Sequence, residues 1–222
     1  MRTLYHYWLC PFSRKARVVL VEKHLEFQLV YEPYWENRED FLVLNPAGTV
    51  PVLIDQDGTV VPNSMVIAEY LDEIRPEPPL IGDTPQERAE TRRLCAWFDK
   101  KFHEEVTLNL VFEKIMKRHV LREGPDSRYV RAGYANIEGH LAYTDWLLEQ
   151  RDWLAGNSFS LADITAAAHL SCIDYLGDVP WDKFRETREW YARVKSRPSM
   201  RPILADRLSG IVPPRHYDDL DF

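Results

Sequence analysis

Cysteine is scarce in this 222-residue chain, which holds three: Cys10, Cys95 and Cys172. Thiols so few and so far apart exclude a disulfide framework and a zinc centre, and they read as reduced. No metal site is expected. Positive charge is also in deficit: 28 Lys and Arg face 35 Asp and Glu, for a net charge of −7. Such a balance gives no general attraction to phosphate backbones or anionic membranes, so nucleic acid is not an expected partner. Long apolar runs are missing as well. No stretch approaches the roughly 20 apolar residues needed to cross a bilayer, and the start, MRTLYHYWLCPFSRK, has no apolar core of a secretory signal. The chain is therefore expected in the cytoplasm, without membrane insertion. Internal repeats and low-complexity tracts are absent too, which leaves an ordinary folded protein whose chemistry, if any, centres on one thiol.

The hydrophobic content is 45%, enough for one large core or for a small domain joined to a larger one. Residues 1–75 alternate between short strands and helices. TLYHY is β-branched and aromatic, FSRKARVVLVEK has helical spacing at Phe12, Ala16, Val19 and Leu20, and FQLVY returns to strand, which makes a βαβ unit. A short helix follows near REDFLVL. VPVLID and TVV then flank the turn QDG as an antiparallel hairpin, and NSMVIAEYLDEI forms a helix with Met65, Ile67, Tyr70 and Leu71 as its candidate buried side. The order is that of an α/β domain of thioredoxin type. Residues 76–85, rich in proline, read as a linker. Residues 86–208 have helical periodicity throughout, with breaks that divide them into five helices and no strands. Within them FSLADI carries a start signal: Ser160 as N-cap, Asp163 completing a capping box, and Phe159 with Ile164 placed as a hydrophobic staple. Its small residues predict the central helix of an all-helical domain. Residues 209–222 form an acidic-aromatic tail.

Three short stretches carry candidate chemistry. Pro11 suits a first helical turn, so Cys10 falls at the N-cap, where backbone donors, the helix dipole and nearby Arg14 and Arg17 would favour a thiolate. The plainer alternative is a small half-buried residue ending a strand. In NPAGTVPVLID, Val50-Pro51 is a candidate cis peptide that would turn the Val50 backbone outward toward a peptide-like ligand; an ordinary edge-strand proline is the alternative. Asn63 and Ser64, at a helix start, would cradle a carboxylate or simply cap the helix.

LCPFSRKARVVL, NPAGTVPVL, NSMVIAEYLDE and SLADITAA, in this order over nearly the whole chain, resemble the cytosolic glutathione S-transferase superfamily. The resemblance implies a first domain that holds glutathione, a helical domain that supplies the second-substrate pocket, and a homodimer. Glutathione enters as a candidate ligand, and no cofactor is required. Cys10 or Ser13 would face the glutathione sulfur, Val50 beside Pro51 would pair with the tripeptide backbone, and Asn63 and Ser64 would hold its γ-glutamyl end. Cysteine at this position is similar to the thiol-transferring classes. Asn63 departs from the family pattern, which has an acidic residue or glutamine there, and its shorter side chain puts recognition of that end in question.

A narrower resemblance runs through AWFDKKFHEEVTLNLVFEKIMKR, RAGYANI, HLSCIDYLGDV, WYARVKSRP and the terminus PPRHYDDLDF. These segments are similar to an alphaproteobacterial branch of the superfamily that binds the tubulin-like division protein FtsZ and serves as a regulator of division, not as a transferase. It implies FtsZ as partner, a place at the division site and little or no catalysis. The alternative is an active transferase or glutathione-dependent thiol transferase using Cys10 or Ser13. In the tail, Tyr217, Leu220 and Phe222 alternate with Asp218, Asp219 and Asp221, as in a short recognition element for a basic groove. Docking of Tyr217 and Phe222 on the protein's own surface is the competing reading. A terminal tail is ordinarily solvated, so residues 215–222 are expected to add little to the core. Trp35, in a polar loop, is either an interface anchor or a lid folded on the first domain. Trp97, Phe98 and Phe102 share one helix face and read as core. Lys114, Lys117, Arg118 and Arg122 read as a solvated helix end.

Overall fold

The computed structural model describes residues 1–220. Strand β1 (Arg2–His6) runs parallel to β2 (Phe27–Tyr31), and helix α1 (Pro11–Glu22) is the crossover that a parallel pair requires. Strand β3 (Val52–Ile54) lies antiparallel on the other edge of β1, with Leu4 opposite Leu53. It turns back through Asp55 and Gly58 into β4 (Val60–Pro62), giving the sheet order β2-β1-β3-β4. Gly58 has a φ of 89°, a conformation that suits glycine at this tight turn. Helices α2 (Glu39–Leu44) and α3 (Ser64–Ile74) complete the α/β domain. On α3, Ile67 and Leu71 are buried, whereas Met65 and Tyr70 sit half-buried at its margin. The sequence placed each of these elements to within a residue or two.

After an extended stretch, α4 (Pro85–Ala96) starts at a capping box: Thr84 Oγ1 accepts from the Glu87 amide at 3.2 Å, and Glu87 Oε2 accepts from the Thr84 amide at 3.0 Å. It continues without a break into a 25-residue helix of π type, Trp97–Leu121, here called the long helix. Phe98 and Phe102 are in the core as expected, and Trp97 is half-buried. The supposedly solvated cations at its end are partly engaged, Lys114 with Asp178 at 2.6 Å and Lys117 with Glu113 at 3.1 Å. Helices α5 (Ser127–Leu148), α6 (Leu161–Asp174), α7 (Arg185–Lys195) and the short α8 (Arg201–Leu204) follow. Among the described residues no strand follows residue 86.

Helix α6 is the centre of the helical domain, with all 14 residues buried. Its capping box holds as the sequence predicted. Asp163 accepts from the Ser160 amide at 2.9 Å, and it also takes the Leu154 amide at 3.0 Å and the Trp190 indole at 2.8 Å. Ala162, Ala166, Ala167 and Ala168 keep the helix thin, and α1 packs against it from the α/β domain. Four cations of α1 and its end, Arg14, Lys15, Arg17 and Lys23, are buried, each against a carboxylate.

Candidate functional site

A cavity of about 360 Å³ opens between the α/β domain and the long helix. Its floor is the N-terminus of α1 and the Val50-Pro51 turn, and that peptide bond is cis, as the sequence predicted. Cys10 is the N-cap of α1, and Pro11 is the first helical residue. The expectation of a stabilised thiolate is corrected. Cys10 Sγ lies half-buried, 4.0 Å from the Val50 carbonyl oxygen, and burial pushes the thiol above its ordinary value of 9.0. Hydrogen bonds from Ser13 and the Phe12 amide, and the charge of Arg14, oppose the shift without reversing it. The reason is direction. Arg14 donates to the Trp8 carbonyl at 3.0 Å and to Ser171 Oγ of the helical domain at 2.9 Å, and Arg17 grips Asp206 of that domain at 2.6 and 2.9 Å, so neither guanidinium is spent on the thiol.

Ser13, the second nucleophile candidate, is also displaced from its expected role. It is fully buried behind Cys10, outside the cavity lining, and its Oγ accepts the Tyr7 amide at 3.2 Å. Val50 and Pro51 line the floor, and the Val50 carbonyl faces the thiol. At Asn63 the capping alternative is what the molecule uses: Oδ1 accepts from the Met65 and Val66 amides at 2.8 and 3.4 Å. Its φ of 76° falls in a region that asparagine enters more readily than most residues. Ser64 follows, nearly buried, with its face on the cavity.

The sequence reading missed the other walls. Tyr7 and Tyr34 border the floor, and burial drives both phenols well above their usual range, so they stay neutral. His103, Thr107 and Val111 line the opposite wall, one turn apart on the long helix. That four-residue spacing was visible in the sequence beside the core stripe of Phe98 and Phe102. Behind the wall, Thr107 Oγ1 meets His169 Nδ1 at 3.2 Å, His169 Nε2 meets Asp99 at 3.3 Å, and Asp99 pairs with buried Lys15 at 2.6 Å. Among the described residues that line the cavity, none is Asp, Glu, Lys or Arg. No group of His, Cys, Asp and Glu is placed to hold a metal among the described residues.

Two family models match the chain: the glutathione S-transferase N-terminal domain over residues 9–74 and the glutathione S-transferase C-terminal domain over residues 109–198. The chain belongs to the glutathione S-transferase family. It is similar to FtsZ-localized protein A of Caulobacter vibrioides, with 50% identity over 100% of this chain and 98% of the relative. Its fold matches the solved structure of FzlA from C. crescentus with a TM-score of 0.96 at 50% identity, over 100% of this chain and 99% of that one. A structure described as a glutathione S-transferase from Rhodospirillum rubrum F11 matches equally well, with a TM-score of 0.96 at 55% identity over the whole of both chains. The transferase fold thus gathers Cys10, Val50, Pro51, Asn63 and Ser64 into one cavity and leaves Ser13 outside it.

The candidate partner residues lie elsewhere on this glutathione S-transferase fold, and for Trp35 and Tyr217 the structure favours the alternative of packing on the protein itself. Trp35 is half-buried, edge-on to Tyr7 and to Tyr34 with both ring centroids at 5.3 Å, so much of its face is spent on the α/β domain. Tyr217 is not a free anchor but a core residue, fully buried, edge-on to Tyr175 at 5.1 Å with its hydroxyl donating to the Ile203 carbonyl at 3.3 Å. Apolar area and an inward hydrogen bond outweigh what a solvated tyrosine would gain. The tail therefore adds to the core, against expectation. Buried Lys195 fixes it further by donating to the His216 and Asp219 carbonyls at 2.8 and 2.6 Å. Asp218 and Asp219 are exposed, and Asp218 pairs with Arg207. Asp221 and Phe222 lie outside the described residues.

Proposed function

We propose that this glutathione S-transferase-family chain binds FtsZ and regulates bacterial cell division. It does so as a cytoplasmic homodimer at the division site, with weak or no transferase activity and no required cofactor. The observation that carries the reading is the 50% identity to FtsZ-localized protein A along the full chain. Two features of the cavity support it. The thiol is raised, so it is neutral at physiological pH, and the charged ends of glutathione meet no ionic side chain among the described lining residues. The partner surface is drawn from the exposed carboxylates Asp218 and Asp219, from Asp221 and Phe222 at the terminus, and from the exposed edge of Trp35. The test is co-sedimentation with FtsZ polymers. The purified chain pellets with polymers and stays in solution without them; absence of pelleting ends the reading.

The second reading, an active transferase or thiol transferase, is favoured by the helix N-cap position of Cys10 and by the likeness to the Rhodospirillum rubrum protein. It requires glutathione at Val50, Pro51, Asn63 and Ser64 and uses Cys10. Ordinary enzyme turnover of an electrophile with glutathione, abolished by Cys10→Ala, would establish it in place of the first.

A further inference from the structure

The docked tail and the cavity floor meet at one side chain, Arg14. Among residues 211–220 a single one is buried, Tyr217, whose ring packs edge-on to Tyr175 at the end of α6. Burial pushes its phenol to about 12, and the charge of the nearby Arg14 guanidinium opposes that rise. Arg14 in turn donates from Nε to the Trp8 carbonyl at 3.0 Å and from Nη1 to Ser171 Oγ at 2.9 Å, which fixes the turn leading into Leu9 and Cys10 on the cavity floor. Cys172 closes the same seam, fully buried with Sγ 3.5 Å from the Leu9 carbonyl oxygen. The closure is imperfect. Arg14 Nη2 is buried without a hydrogen-bond partner among the described residues, 3.9 Å from Asp206, and the Tyr217 hydroxyl reaches the Ile203 carbonyl only at 3.3 Å. Water admitted here would satisfy a donor that the closed state leaves bare. Around Tyr217 the segment is held by polar contacts: Lys195 donates to the His216 and Asp219 carbonyls, and His216 Nε2 meets Asp174 Oδ1 at 3.0 Å. A short exposed segment with one apolar anchor opens more readily than the helices beneath it.

We propose that residues 215–219 are a releasable latch: when Tyr217 leaves its site, Arg14 is hydrated and the turn at residues 8–10 loosens, so that the tail governs the cavity floor. A partner with a basic surface that takes Asp218 and Asp219 and favours the open latch therefore shifts the turn as well. The coupling runs both ways. A change at the floor that frees Arg14 favours release of the tail by the same factor. The latch concerns how tail and cavity communicate, and it stands whichever protein binds the tail.

Alkylation of the full chain with N-ethylmaleimide, read thiol by thiol in a mass spectrometer, tests this. Cys172 reports the latch. Cys95 touches Thr165, about 15 Å back along α6 from Tyr175, and is the control. Tyr217→Ala speeds the labelling of Cys172 by roughly tenfold or more, because the closed state loses the burial of an aromatic ring, and leaves Cys95 unchanged. In the unmodified chain, hydrogen exchange in low urea follows two bonded amides, Tyr217 on the Pro214 carbonyl at 3.0 Å and Cys10 on the Tyr7 carbonyl at 3.2 Å. The two open together, with one urea dependence that is weaker than that of the α5 amides. An unchanged Cys172 rate, equal acceleration of Cys172 and Cys95, separate urea dependences for the two amides, or a Cys10 amide that opens only with the whole molecule overturns the proposal. If Tyr217→Ala does not fold, the exchange measurement decides without the variant.

Discussion

On one side of α1, Cys10 and Phe12 border a cavity whose described lining holds no charged residue; on the other, Arg14, Lys15 and Arg17 are buried among carboxylates of the helical domain. Residues only four positions apart in sequence thus belong to two different electrostatic regimes. The helix geometry explains it: Cys10 and Pro11 start the helix at the cavity, and the cationic side chains leave from later in its first two turns toward α6 and the long helix. Charge in this molecule fastens the two domains together. The cavity is left neutral, which suits neither a thiolate nor a ligand with several ionised groups.

The comparison breaks most sharply at Asp206, which receives Arg17 at 2.6 and 2.9 Å and lies 3.9 Å from Arg14. Asp206→Ala strands two buried guanidinium groups, and removal of one partner from a buried pair typically costs about 3 to 5 kcal/mol. Cys10→Ala, on the neutral side of the same helix, costs no more than about 1 kcal/mol. Urea unfolding of the two variants checks the contrast. A loss below about 1 kcal/mol for Asp206→Ala would mean that the buried charges are not what joins the domains.

This contrast also marks what could be read in advance. Strands, helices and the Ser160–Asp163 capping box were legible because periodicity and capping are local properties. The Arg17–Asp206 and Lys15–Asp99 pairs were not, because their partners lie 189 and 84 residues apart. Nearness in sequence suggested that Arg14 and Arg17 would charge Cys10, and it carried no information on which way the guanidinium groups point. Asn63 offered two roles of equal standing in the sequence, and the cap was decided by its φ of 76° and the two amides in reach. The tail misled for a different reason: its composition describes a solvated element, whereas the place for Tyr217 is made by Tyr175 and Ile203, from other parts of the chain.

Acid sharpens the comparison, since each side of the domain holds a neutral histidine. His6, fully buried near Arg17, is lowered to about 3 by burial first and by that charge second; His103, at the cavity, is lowered to about 4. Both remain unprotonated in the folded chain while the unfolded chain takes up protons below about pH 6.5. The unfolded state therefore binds more protons between pH 6.5 and 4, and stability falls as pH falls through that window, by up to about 1.4 kcal/mol per pH unit for each histidine. His6→Phe should flatten the slope of unfolding free energy over this range by about one proton's worth. An unchanged slope would show that His6 is not neutral in the native state.

The smallest effect on folding is expected at Asp218, which forms with Arg207 the exposed counterpart of the Arg17–Asp206 pair. Both sides of the Asp218 pair are about half exposed, with 53% of the Asp218 and 48% of the Arg207 side chain accessible. Water screens such a pair, so its contribution is about 0 to 1 kcal/mol. Asp218→Lys should therefore leave the thermal transition nearly unmoved, because the buried Tyr217 ring and the carbonyls held by Lys195 keep this part of the tail in place. Binding is where the change should appear. A charge at the rim of an interface acts mainly on the association rate, and the effect fades as salt is raised. Pelleting of Asp218→Lys with FtsZ polymers should fall below that of the unmodified chain at low ionic strength and approach it at high ionic strength. Equal pelleting at low salt removes Asp218 from the partner surface, and a large drop in thermal stability would mean that the pair is as structural as the buried one.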